Sequence, residues 1–400
     1  MPPLAPRLAA SPPAATVAMT ERARALRAAG AEVITLSIGE PDFPTPPHAI
    51  DAACEAARRG ETKYPPQAGT LALREAVRRK YRRDFGLDYG IDEVMVGNGG
   101  KQVIFNAIMA TIAPGDQVII PTPYWASYSL MVGLAGGETV FLPCPEARGF
   151  RLDPEALART LTPRSRLLLL NFPNNPSGAV MTEEDARAIA AVLRRHPDLW
   201  VLCDDIYGEL TYDGHRHLPL VTYAPDLRER VLIVSGVSKT YAMTGWRIGF
   251  GLGPAPLIRA MVTMQGHATA GVSAPGQAAA VAALEGPQDL VAERVALFRR
   301  RRDLLLERLA AAPGLTCHRP AGAFYLYPNV GGLLGRTTPA GRRLASDTDV
   351  ALALLEEAHV AVVAGAAFGM SPYIRLSYAT SEPLLEEAAR RITAFCAALH

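Results

Sequence analysis

Recognisable cysteine spacing is missing from this chain. Its five cysteines (Cys54, Cys144, Cys203, Cys317, Cys396) are odd in number, scattered and never in a C-x-x-C arrangement. That argues against a disulfide framework and against the usual zinc-ligand pattern, so no metal is expected. Such usage fits a reducing compartment and predicts a cytoplasmic protein. No apolar run approaches the roughly 18 residues of a membrane span. Prolines at 2, 3, 6, 12 and 13 interrupt the stretch where a signal-peptide core would lie. Charge of one sign is lacking as well: 41 Lys and Arg against 39 Asp and Glu leave a net +2. That gives no case for a nucleic-acid or membrane partner. The one dense basic run, Arg299–Arg302, precedes Asp303-Leu304-Leu305-Leu306-Glu307 and reads as a solvated helix face.

What is present is the composition of a globular enzyme, 49% hydrophobic and 20% charged, in 400 residues. That length exceeds one small domain. Apolar, strand-like runs occur at 94–96, 117–121, 139–142, 166–171, 199–204, 231–235 and 248–252. Amphipathic stretches separate several of them, including 102–112 and 182–195, the second opened by Thr182-Glu183-Glu184-Asp185. Continuous apolar strands alternating with helices imply a largely parallel sheet covered on both faces. Past Gly286 the pattern changes. A long helix (291–311) is followed by strand-like 315–319 and 322–327, a glycine-rich loop (331–341), a helix (349–358), strands at 360–363 and 373–378, and a last helix (382–399). The expected fold is therefore α/β: a large domain over 48–290 and a smaller α+β domain built from 1–47 and 291–400.

Three polar clusters, Asn171–Asn175, Asp204–Tyr207 and Ser235–Lys239, fall at or just past the carboxyl ends of expected strands. Ligands bind there in open α/β sheets. Lys239 follows the apolar run Val231–Val234, where partial desolvation would lower its pKa and free the amine as a nucleophile. Ser238, Thr240 and Arg247 around it are what a cofactor phosphate needs. Asp204 alone reads as a helix cap or ion-pair partner, but it could also hold a pyridine nitrogen protonated. Tyr207 could reach the same ring, and the Asn175 amide its phenolic oxygen. Gly97-Asn98-Gly99-Gly100 is either a tight turn or an anion cradle at a helix N-terminus. Trp125 is either core or a stacking surface. Arg375, inside a strand-like run, is either on a solvated face or a bidentate carboxylate reader.

Together, Gly39-Glu40-Pro41-Asp42-Phe43, Lys63-Tyr64, Gly99-Gly100-Lys101-Gln102, Asn174-Asn175-Pro176-Ser177-Gly178, Asp204-x-x-Tyr207, Ser238-Lys239-(x)7-Arg247 and Arg375-Leu376-Ser377-Tyr378 resemble fold type I pyridoxal-phosphate aminotransferases. The resemblance is nearest to bacterial aspartate aminotransferases, some of which accept prephenate, and it runs from about Leu8 to the C-terminus. It implies a seven-stranded sheet and pyridoxal 5'-phosphate as cofactor. It also implies a homodimer with shared active sites and amino-acid and 2-oxo-acid substrates. Lys239 is then the Schiff-base lysine and proton shuttle, and Asp204 the partner of the pyridine nitrogen. Tyr207 and Asn175 bond the phenolic oxygen, and Trp125 stacks on the ring. Gly99, Gly100, Ser238 and Arg247 hold the phosphate, with Tyr64 reaching the neighbouring subunit's phosphate. Arg375 and the Gly39 backbone grip the α-carboxylate, and Lys101 reads a distal carboxylate.

The chain departs from the family pattern at Ala15, where a serine is usual, and at His267–Ser273, where a hydroxyl-rich run is usual. Ala270 there lacks a donor and His267 adds a group. Gly236 lacks a hydroxyl that more distant relatives carry. These departures keep two alternatives open: an aromatic or specialised amino-acid substrate, or a pyridoxal-phosphate lyase or cyclase.

Overall fold

The computed structural model describes residues 15–400, with side chains from Ala18 onward. Ala15 therefore lies outside the described side chains. All seven expected strands form, and they join one sheet. They are β1 (Val94–Asn98), β2 (Gln117–Thr122), β3 (Glu138–Pro143), β4 (Ser165–Asn171), β5 (Trp200–Asp204), β6 (Val231–Gly236) and β7 (Ile248–Leu252). Their spatial order is β1-β7-β6-β5-β4-β2-β3. Neighbours run parallel except where β7 pairs with β1 and with β6.

Every residue of β6 and β7 is buried, as helices on both faces require. The period-2 alternation of a strand divides β4 between two cores. Leu168 and Leu170 face one, and Leu167 and Leu169 the other. Thr182 caps the helix Glu183–Leu193. Its hydroxyl accepts from Asp185 N at 3.1 Å, and the Asp185 carboxylate accepts from Thr182 N at 3.0 Å.

β7 matters most for the site. It runs against its neighbours, so its amino end lies at the same sheet edge as the carboxyl ends of β1 and β6. Ile248 stands opposite Asn98, and Gly249 opposite both Gly97 and Gly236. Arg247 is thereby delivered beside Gly99. Gly236 permits this crossing, because a Cβ there would meet Ile248 O at 2.8 Å.

A further core draws on both chain ends. Ile34–Thr35 pairs parallel with Val360–Ala361, while Tyr325–Leu326, Ile374–Ser377 and Val363–Ala364 form an antiparallel sheet. The helices Asp289–Leu309 and Glu382–Ala397 pack on each other beside it. This is the smaller α+β domain.

Four details differ from the sequence reading. Residues 315–319 form no strand: Pro313 and Pro320 bracket them, and only Thr316 bridges, to Asn329. The 322–327 strand shrinks to Tyr325–Leu326, since Gly322 bridges Thr211 instead. The 360–363 run divides at Val362, where the chain exchanges a parallel partner for an antiparallel one. The Arg299–Arg302 run is only half solvated. Arg301 and Arg302 are buried, the first bidentate to Asp42 (2.7 and 2.8 Å), the second paired with Asp213 and Asp303 at 2.7 and 2.8 Å. At 100° per residue, four consecutive arginines cannot share one helix face, and Asp42 and Asp213, distant in sequence, meet those turned inward.

Candidate active site

A cleft of about 570 Å³ lies at the carboxyl edge of the large sheet. Lys239 stands three residues beyond β6. Its Nζ donates to Gly39 O at 2.6 Å. Loss of water lowers the amine's pKa to about 8, helped by Arg375 and Arg247, with Glu40 and Asp204 pulling the other way.

Asp204 ends β5 and is buried. Tyr128 Oη donates to its Oδ2 at 2.5 Å, and Ile206 N to its Oδ1 at 3.3 Å. Burial raises this carboxyl to about 6, against the lowering effect of those two donors. Asn171, ending β4, ties two loops together. It donates to Asp204 O at 2.9 Å and accepts from Asn175 N at 2.9 Å. Tyr207 and Tyr325 share a hydroxyl–hydroxyl bond of 2.8 Å.

Arg375 is 3% exposed. Its Nη1 donates to Asn175 Oδ1 at 2.9 Å and its Nη2 to Ser37 O at 2.7 Å. The guanidinium lies 4.5 Å from the Tyr325 ring centre and 4.9 Å from that of Phe368. Among the described residues its Nε has no acceptor, and no carboxylate pairs with it. A buried guanidinium that lines a cleft without a carboxylate partner is prepared for an incoming one.

At the other end, the helix Gly100–Thr111 starts at the cleft. Gly99 has φ +77°, and a Cβ on it would lie 2.4 Å from Arg247 Nη2. A Cβ on Gly249 would lie 2.2 Å from Gly100 N. Only glycines let helix N–H groups and Arg247 converge so closely, and convergence of this kind suits a phosphate. Ser238 is buried beside it, and Lys101 Nζ sits 4.9 Å from the Trp125 ring centre. Burial, and secondarily Arg247, lowers the Lys101 pKa.

The cleft thus gathers Gly39, Gly100, Lys101, Trp125, Asn175, Asp204, Tyr207, Ser238, Lys239, Arg247 and Arg375, with Gly99 shaping it from behind. Tyr64 is elsewhere. It is 93% exposed in a separate groove of about 580 Å³ formed by residues 62–65 and 269–275. Ala270 lines that groove too, and His267 is exposed on the preceding helix. Tyr128 carries a site bond that sequence reasoning missed. Its signal was its place one helical turn after Trp125, against which it packs edge-on at 5.3 Å. Tyr325 was read only as part of a motif. Among the described residues no group of three or more His, Cys, Asp or Glu is placed to hold a metal, and no helix is long and apolar enough to cross a membrane.

A buried acceptor, a desolvated amine, a flanking indole and a glycine–arginine cradle fit the ring nitrogen, aldehyde, ring face and phosphate of pyridoxal phosphate. Comparison with known proteins agrees. The model of the class I and II aminotransferases matches residues 31–392. The chain is 51% identical to an aspartate aminotransferase of Rhizobium meliloti (strain 1021), over 94% of this chain and 92% of that one. It is 47% identical to an aspartate/prephenate aminotransferase of Cereibacter sphaeroides, over 99% of each. A crystal structure of the aspartate aminotransferase from Rhizobium meliloti superposes with a TM-score of 0.97 at 49% identity over 100% of both chains. The Thermus thermophilus aspartate aminotransferase with maleate does so at 0.91, with 41% identity over 99% of this chain and 100% of that one.

The chain belongs to the class I and II aminotransferase family. It is a pyridoxal-phosphate-dependent aminotransferase of the kind typified by bacterial aspartate aminotransferases. The lyase or cyclase alternative is not favoured by near-full-length relatives named as aminotransferases.

Proposed function

We propose that this aminotransferase uses aspartate or glutamate as donor and a 2-oxo acid such as 2-oxoglutarate as acceptor, by a ping-pong route, in a cytoplasmic homodimer with shared sites. The observation that carries the dicarboxylate reading is two cations in one cleft: Arg375, buried without a carboxylate partner, and Lys101 over Trp125. Arg375, with the Gly39 backbone, takes the α-carboxylate in a bidentate grip, and Lys101 the distal one. The relatives named for aspartate, and the Thermus structure holding the dicarboxylate maleate, support this.

Bound pyridoxal phosphate supplies an electrophilic aldehyde and an electron-withdrawing ring. Lys239 Nζ, close to half-deprotonated at pH 8, is the nucleophile that holds the cofactor. With the cofactor bound, the same amine would be the group that removes and returns the substrate α-proton. Asp204 would accept from the ring nitrogen. Its bond from Tyr128 keeps one oxygen engaged and the carboxylate oriented. Asn175 turns its oxygen to Arg375, which leaves its amide N–H2 for the phenolic oxygen, beside Tyr207. The Gly99-Gly100 backbone, Ser238 and Arg247 would hold the phosphate, and Trp125 would cover the ring. Tyr64, exposed and outside its own cleft, would reach the phosphate held by a second copy. The unpaired cysteines support the cytoplasmic placement.

The test is a panel of amino donors against several oxo acids with purified enzyme. Highest kcat/KM for aspartate or glutamate with 2-oxoglutarate is expected. Conversion of other pairs but not of this one overturns the substrate reading.

A further inference from the structure

Lys80, Glu209 and Arg294 do not line the cleft, nor does Thr240. They nevertheless form bonds that converge one residue past Lys239. Lys80, 4% exposed, lies 2.6 Å from Glu209 Oε1 and 2.8 Å from Asp84 Oδ2. The other Glu209 oxygen accepts from Thr240 Oγ1 at 2.8 Å. Burial would raise the Glu209 pKa, but Lys80 and the Thr240 hydroxyl hold it below the usual carboxylate value. Thr240 is 1% exposed. Its carbonyl accepts from Arg294 Nη1 at 3.1 Å, and Nη2 of the same guanidinium donates to Pro44 O at 2.9 Å.

These bonds connect three loops. Glu209 stands two residues after Tyr207, on the loop that leaves Asp204. Pro44 lies on the same loop as Gly39, between Thr35 and the helix at Pro47, and the Gly39 carbonyl accepts from Lys239 Nζ. Thr240 is thus fastened by its side chain to one loop and by its carbonyl to the other. A buried ionic group contributes little to stability compared with apolar packing of the same volume. Its value here is geometric, because a lysine with four rotatable side-chain bonds is aimed only as well as its main chain is held.

We propose that Glu209 and Thr240 are positioning residues for Lys239, with Lys80 fixing the Glu209 carboxylate. The proposal rests on Lys239 being the cofactor-bearing lysine. The Glu209–Thr240 bond sets where the Lys239 main chain sits relative to Gly39 and Asp204. The Arg294 bridge holds the same residue from its carbonyl side.

The experiment strips the full-length enzyme of cofactor and adds pyridoxal phosphate. It then follows the rate at which the cofactor becomes trapped on Lys239 by borohydride, read by mass spectrometry. Thr240→Val removes the hydroxyl at nearly constant volume and should slow trapping and kcat about 5- to 10-fold. The amino-donor KM should move less than about 2-fold, since nothing that touches substrate changes. Thr240→Ser should restore both rates. Should Thr240→Val fold poorly, the apolar pair Lys80→Met with Glu209→Met removes the same acceptor together with the buried cation facing it, while Asp84 keeps Arg83 at 2.6 Å; the same slowing is expected. Wild-type trapping in either variant, or a Thr240→Ser enzyme as slow as Thr240→Val, overturns the proposal. Trapping of the wild-type enzyme on a lysine other than Lys239 overturns the parent reading instead, and so separates the two.

Discussion

The depressed pKa of Lys239 makes a quantitative prediction that needs no cofactor. An ordinary lysine titrates near 10.4, so at pH 7 about one amine in 2,500 is free base. At a pKa of about 8 the free-base fraction at pH 7 is about one in ten, a gain of roughly 200-fold. Burial is the main cause, so the gain belongs to the folded cleft and should vanish in denaturant. Competitive labelling with trace acetic anhydride, scanned from pH 6 to pH 11 and resolved residue by residue by mass spectrometry, reads the free-base fraction directly. Lys239 should show a midpoint near 8. In Glu40→Gln the midpoint should fall further, because Glu40 favours the charged amine. In Arg375→Met it should rise, because a neighbouring positive charge is gone. A Lys239 midpoint above about 10 in the native protein would refute the argument that desolvation prepares this amine.

Four other outcomes are expected. Tyr128→Phe should lower kcat by about 10-fold or more, since a hydrogen bond to a charged group contributes about 1.5–3 kcal/mol; it should also raise the Asp204 pKa, measurable by infrared titration of the carboxyl. Gly99→Ala combines a positive φ with a Cβ 2.4 Å from Arg247, so equilibrium dialysis should show cofactor affinity weakened by at least about 10-fold. Arg375→Lys keeps the charge but loses the fork, and kcat/KM for aspartate should fall about 10- to 100-fold. Arg302→Ala should destabilise by about 2–4 kcal/mol in denaturant unfolding, mainly through the cavity left by a fully buried side chain, since Asp213 and Asp303 are partly exposed and keep Arg319, and Arg302→Met, which fills the space, should be less damaging.

The large sheet was legible because β4, β5 and β6 carry the unbroken apolar runs Leu167–Leu170, Trp200–Cys203 and Val231–Val234 and end abruptly in polar clusters. A strand buried on both faces leaves that signature in any linear reading. The small-domain strands were blurred because two-residue ladders such as Val363–Ala364 carry no periodicity to read. Lys239, Asp204 and Arg375 could be found from motif and placement. The partner of Asp204 could not: Tyr128 lies 76 positions away on a helix, and only the parallel register of the sheet brings the two within 2.5 Å. The burial of Arg301 and Arg302 was hidden for the same reason. Their acids at 42 and 213 belong to other parts of the chain, and a local charge count sees only a basic run.

The glycines where β1, β7 and β6 meet have a consequence for redesign. Added side chains at 97, 99, 236 and 249 would each strike a neighbour at 3.0 Å or less, so the phosphate end of the cleft tolerates almost no diversity. The mouth is different. Ile38 and Arg24 border it, and both are exposed, Ile38 to 43%. A library aimed at new amino acids should hold the junction fixed and vary the rim. In this scaffold the means of holding the cofactor is closed to mutational search, while the choice of substrate stays open to it.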